Sequence, residues 1–162
     1  MADIRIAPGP IGPAITMDLL LAPSGFIDET HELASAALVA LGSDRRALAS
    51  DILPDSASDD LRGWWGDTDA ETIWGGWPIG SRLWLLSRAK ITDAGYKGGA
   101  TLANIEAYIQ EAFQPWITAK IATAIAVAAS RMDIQTVVAN LTIYRGNMAL
   151  LDMQYRLLWS DI

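Results

Sequence analysis

The sequence predicts an α+β fold, with about three helices packed on an antiparallel β-sheet that ends in a C-terminal hairpin. Three observations predict it. Apolar residues recur at helical spacing in two stretches, Leu33, Ala37 and Leu41, then Leu102, Ile105, Ile109 and Phe113. Toward the C-terminus the period drops to two: Ile121, Thr123, Ile125 and Val127; then Val137, Ala139, Leu141 and Ile143; then Leu151, Met153, Tyr155, Leu157 and Trp159. Alternation of that kind belongs to an antiparallel sheet with one buried face. Finally, 162 residues suit a single domain, which buries roughly 70% of its unfolded surface without help from a disulfide or metal.

Taken in order, residues 1–13 hold three prolines and two glycines and read as an extended arm ahead of a domain at residues 14–162. Residues 14–28 have strand character, with a turn at Pro23, Ser24 and Gly25. A helix follows, with Thr30 as N-cap and Gly42 as its C-terminal stop. Residues 43–78 are rich in Pro, Gly, Ser and Asp and sustain no period, which is unusual for a loop in a compact domain unless it is functional. GSRLWLLSRAK (80–90) predicts a short helix with Leu83, Leu86 and Trp84 inward. YKGGAT interrupts the chain. A longer helix then starts near Thr101, and Pro115 ends or kinks it. The alanine spacers of the stretch at 121–127 leave it readable as strand or helix. YRGN (144–147) is the turn before the last strand.

Composition excludes several function classes. A net charge of -7 repels phosphate backbones, and Arg45–Arg46 is too small a basic pair to offset it, so no nucleic acid is expected. No apolar run reaches the roughly 20 residues of a membrane span, and the N-terminus has no basic region followed by an apolar core. With no cysteine, thiol catalysis and cysteine-based zinc sites are excluded. His31 is the single histidine and reads as a capping or surface residue, with no G-x-S-x-G elbow to give it a nucleophile. GGWPIGS lacks the lysine of a phosphate-binding loop. Asp67, Asp69 and Glu71 alternate like the start of a calcium loop, but Thr72 and Pro78 stand where the glycine and the bidentate acid belong. These acids, with Asp59 and Asp60, could supply a hydrolytic carboxylate pair only if their environment raised one pKa, and a polar loop does not. The expectation is a non-enzyme with no cofactor, no metal and no small-molecule substrate.

What remains is aromatic. Four of the seven tryptophans, Trp64, Trp65, Trp74 and Trp77, fall in the aperiodic segment, two of them inside DLRGWWGD. Adjacent residues of an extended chain point opposite ways, so one of Trp64 and Trp65 is expected to pack inward and the other to be presented, with Arg62, to a partner. Tryptophan and arginine are enriched at interface centres. The candidate partner surface therefore comprises Arg45, Arg46, Arg62, Trp64, Trp65, Trp74 and Trp77, together with Arg82 and Trp116. Tyr155 and Trp159 join it from the last strand (148–159), expected to be a sheet edge open to a strand from another chain.

The strings SDRRAL, LPD, RGWWGD and IGSRLWLLSRAKIT, in that order, with EAYIQEAFQPWI downstream, resemble the Mu-type phage baseplate protein family, the phage gene-product-46 family. That family is similar to the gene-25-like baseplate wedge proteins of contractile tails. The resemblance covers roughly residues 15–130. It implies a gene-25-like α+β subunit in a six-fold baseplate, located in the virion tail and assembled in the host cytoplasm. It further implies contacts with other, larger wedge proteins and with the tail sheath protein through shared β-strands, and no cofactor or catalytic residue. The alternative is a small peptidoglycan hydrolase of the tail, since gene-25-like relatives have carried a lysozyme label. Trp74, Trp77, Pro115 and the alanine-rich strand depart from the family's pattern.

Overall fold

A computed structural model describes residues 6–8, 17–19, 32–74, 76–87, 99–133 and 136–158. The expected turn at residues 23–25, the N-cap at Thr30 and His31 lie outside these residues, as do the side chains of Trp74 and Trp159. The chain forms two compact units, Met1–Val39 and Ala40–Ile162. In the first, β1 (Ile6–Pro8) pairs antiparallel with β2 (Met17–Leu19), so part of the expected arm is a strand. The helix α1 (Glu32–Gly42) carries the expected stripe, with Ala37 and Leu41 buried, and stops at Gly42.

The second unit is α+β. A 3-10 turn (Trp65–Asp67) leads to the short α2 (Ala70–Trp74), and a second (Leu83–Leu86) stands where a short helix was expected. Leu83, Trp84, Leu85 and Leu86 are all buried. The long helix α3 (Gly99–Thr118) buries Ile105, Ile109 and Phe113 completely, and Trp116 meets Phe113 edge-on with ring centroids 5.0 Å apart.

Pro115 does not end α3, which runs on to Thr118. The turn beyond it is closed by other bonds. The Ile121 N–H donates to the Trp116 carbonyl at 2.9 Å, and the Lys120 N–H to that of Ile117 at 3.0 Å, with Lys120 left-handed at φ 59°. This is a Schellman closure. With Trp116 buried beneath it, it outweighs the one helical bond that proline cannot make.

Three antiparallel strands follow, β3 (Ala124–Arg131), β4 (Thr136–Arg145) and β5 (Met148–Leu158), in the order β3-β4-β5. Of the stretch at 121–127 that could have been helix, the part from Ala124 onward is strand. Odd-numbered residues share the buried face: Val137, Ala139, Leu141 and Ile143 of β4 are fully buried, and Val137 stands opposite Leu157, Ala139 opposite Tyr155, Leu141 opposite Met153. Gly146 and Asn147 form the hairpin turn between the paired Arg145 and Met148.

Backbone direction in the sheet follows from one bond. The Ala129 N–H donates to Glu106 Oε1 of α3 at 2.8 Å, so it points away from β4 and α3 covers that edge there. Backbone groups alternate sides along a strand. Ala139, opposite Ala129, therefore turns its groups to β5, where Tyr155 turns its own back. Asp152, Gln154 and Arg156 are left aiming theirs outward from β5, and no strand among the described residues lies beyond them.

Candidate interaction surface

The aperiodic segment is organised by backbone contacts between stretches far apart in sequence. The Arg45 N–H donates to the Ser81 carbonyl at 3.0 Å, the Ser81 N–H to that of Ser43 at 2.9 Å, and the Ala47 N–H to that of Leu61 at 2.9 Å. Segment 43–47 thus lies between segments 61–63 and 80–82. Two glycines permit the approach. Gly63 has φ 102°, and a Cβ there would come 2.7 Å from Arg46 Cβ. A Cβ on Gly66 would come 2.3 Å from the Trp64 ring, which lies over it. That is a physical reason for glycine on both sides of the tryptophan pair.

Asp67 closes the RGWWGD loop by accepting the Ile79 N–H at 2.9 Å through Oδ1, while Oδ2 is buried with no hydrogen-bond partner among the described residues. It is therefore a loop-building acid. The tryptophans differ from expectation. Trp64 is 40% exposed and Trp65 83% exposed, with ring centroids 5.4 Å apart, so neither is an inward anchor. The inward ring is Trp84, whose Nε1–H donates to the Arg45 carbonyl at 2.8 Å. It is buried with Ala47 and Leu85, and Leu53, Leu61 and Tyr108 pack against this cluster. The Arg62 guanidinium lies 4.6 Å above the Trp84 ring and binds Asp44 at 2.7 Å. The loop thus rests on a tryptophan seventeen or more positions downstream, while its own two rings face out.

The other expected residues divide. Arg46 and Arg62 stand with Trp64 and Trp65 around one groove, with Leu48 and Pro78. Arg45 contributes to the same groove but also reaches Glu111 at 3.9 Å. Arg82 turns inward: its Nη1 donates to both Asp51 oxygens at 2.7 and 2.8 Å, its Nε donates to Glu111 at 2.8 Å, and its guanidinium lies 4.8 Å from the Tyr108 ring centre. Burial works against its charge, but the bonds to Asp51 and Glu111 prevail and hold it above the usual arginine range. Trp116 belongs to the core. Trp77 is half-buried. Tyr155 lies on the half-covered inner face of β5, where burial, aided by Asp44, pushes its hydroxyl above the ordinary tyrosine range.

Sequence reasoning missed Leu48, which is 51% exposed and lines the groove beside the tryptophans, and Ile52, which is 90% exposed. Without a period, nothing in the sequence separates an exposed leucine from a core one. The carboxylates Asp44, Asp51 and Glu111 were missed because their arginine partners lie 18 to 31 positions away. Among the described residues, no group of three or more His, Cys, Asp or Glu could hold a metal ion, and no helix is long and apolar enough to cross a membrane.

A small α+β unit with exposed tryptophans on a tightly held loop, and a sheet edge with no strand beyond it among the described residues, has the anatomy of a protein that acts through its surfaces. The sequence pattern described as Phage protein GP46 matches residues 33–149, and the chain belongs to that family. The chain is also 47% identical over 94 residues to "Baseplate protein gp46" of Escherichia phage Mu. That match covers 58% of this chain and 57% of the phage Mu protein.

Proposed function

We propose that the chain is a structural subunit of a phage tail baseplate, a wedge component with its place in the virion. Its kinship with the phage Mu baseplate protein supports the setting. The observation that carries the mechanism is Trp65, 83% exposed on a loop whose backbone is fixed by Gly63, Asp67 and the Trp84 cluster. A large ring held out on a rigid loop loses little conformational entropy when a partner covers it, which is what an interface anchor needs. The partner is a larger wedge subunit in a six-fold assembly. The outward N–H and C=O groups of Asp152, Gln154 and Arg156 supply a second contact, an edge for a strand of the tail sheath.

Native mass spectrometry of the full chain, alone and co-expressed with the products of its flanking genes, tests this. A defined complex with a larger neighbour is expected, and Trp65→Ala should abolish it. Because Trp65 is exposed, the substitution should change folding stability by only about 0.5 kcal/mol. A chain that stays monomeric beside every neighbour sinks the proposal. The hydrolytic alternative is separated from it by Asp69→Asn and Glu71→Gln, which should leave assembly intact; Asp67 is unsuitable because it builds the loop.

A further inference from the structure

The docking reading leaves open what chemistry meets the tryptophans, and the arginines beside them narrow it. Four arginines belong to this region. Arg62 is paired with Asp44, Arg82 with Asp51 and Glu111, and Arg45 lies 3.9 Å from Glu111. Arg46 alone has no ion pair among the described residues, yet it lines the groove with Leu48, Trp64 and Trp65. The Gly63 backbone sits against its Cβ and Cα.

Resting on the docking reading, we infer that this groove takes a mainly apolar segment of the neighbouring subunit carrying one carboxylate, which Arg46 binds. Leu48 and the two indole rings offer apolar area that only apolar side chains would cover favourably. A partner lying over them also removes water from Arg46, and a guanidinium desolvated without a counter-charge costs several kcal/mol. A basic segment would leave it so. A densely acidic one would be repelled by a chain of net charge -7. One carboxylate on an apolar segment satisfies both limits, and a planar guanidinium can bind it through two parallel bonds.

The test starts from the neighbour captured by the full chain. Short overlapping peptides covering that neighbour are screened against the full chain. Fluorescence titration then measures affinity for the peptide that binds. The peptide is expected to carry an Asp or Glu among apolar residues. Arg46→Gln, and Asp→Asn or Glu→Gln in the peptide, should each weaken binding about tenfold, a typical loss for one charge-assisted contact. The double change should cost little more than either alone. Thermal melts of Arg46→Gln should match the parent, and Arg46→Lys should restore part of the affinity. Additive losses, a bound peptide without a carboxylate, or indifference to Arg46→Gln would each overturn the inference. If the complex still depends on Trp65, the docking reading survives that result. A homodimer lost on Trp65→Ala would make a second copy the occupant and overturn it too. With no complex at all, both readings fall.

Discussion

The Arg82 guanidinium joins three parts of the second unit: Asp51 from the aperiodic segment, Glu111 from α3, and its own 3-10 turn. Only 13% of its side chain is exposed, so these charges are largely out of water and each needs the others. Arg82→Ala would strand two carboxylates and should cost about 3 kcal/mol in urea unfolding. Arg82→Lys should recover only part, because an ammonium cannot reproduce the fork that serves Asp51 and Glu111 together. A cost near zero would show that the carboxylates find solvent instead. Trp65, the more conspicuous residue in the sequence, should by contrast scarcely affect stability. The sequence marked both residues as candidates for a partner surface, since composition enriches both at interfaces. It did not separate them, because the carboxylates that draw Arg82 inward are 29 and 31 positions away. Glycines against Arg46 and the Trp64 ring shape the RGWWGD loop.

Among the elements, legibility followed periodicity. The inward residues of α3 and of β4 were readable because each element has one wet and one dry side, and the pattern repeats along it. The segment 43–81 was not readable, because it is organised by isolated backbone bonds and close glycine contacts that leave no repeat. The end of α3 shows the same limit. Pro115 is a visible break signal, but the closure that overrides it depends on bonds from residues 120 and 121. That closure places Lys120 in a left-handed conformation usually left to glycine. Lys120→Gly should therefore exceed Lys120→Ala in stability by about 1 kcal/mol, since both lose the charge and only alanine keeps the strained Cβ. Paired thermal melts measure the difference. Equal stabilities would mean that the turn relaxes out of the left-handed region once lysine is gone.

At the scale of the whole molecule, the sheet has two edges with different fates. Glu106 occupies the Ala129 N–H on the β3 side, whereas the β5 side turns Asp152, Gln154 and Arg156 outward with no strand beyond them among the described residues. On the same strand Leu151, Met153 and Tyr155 are only half-covered, so an added strand would complete both the ladder and the apolar face. The register says where to interfere. Proline at Gln154 removes an N–H that serves no bond within the sheet, whereas proline at Tyr155 removes one that pairs with Ala139. Gln154→Pro should leave the chain folded and still bound to its larger neighbour, yet unable to start sheath growth on assembled baseplates, as scored by electron microscopy. Tyr155→Pro should unfold it. If Gln154→Pro loses the neighbour as well, the strand is supporting the fold and the edge is no docking site. If sheath grows normally on Gln154→Pro baseplates, the proposed strand-sharing contact is overturned.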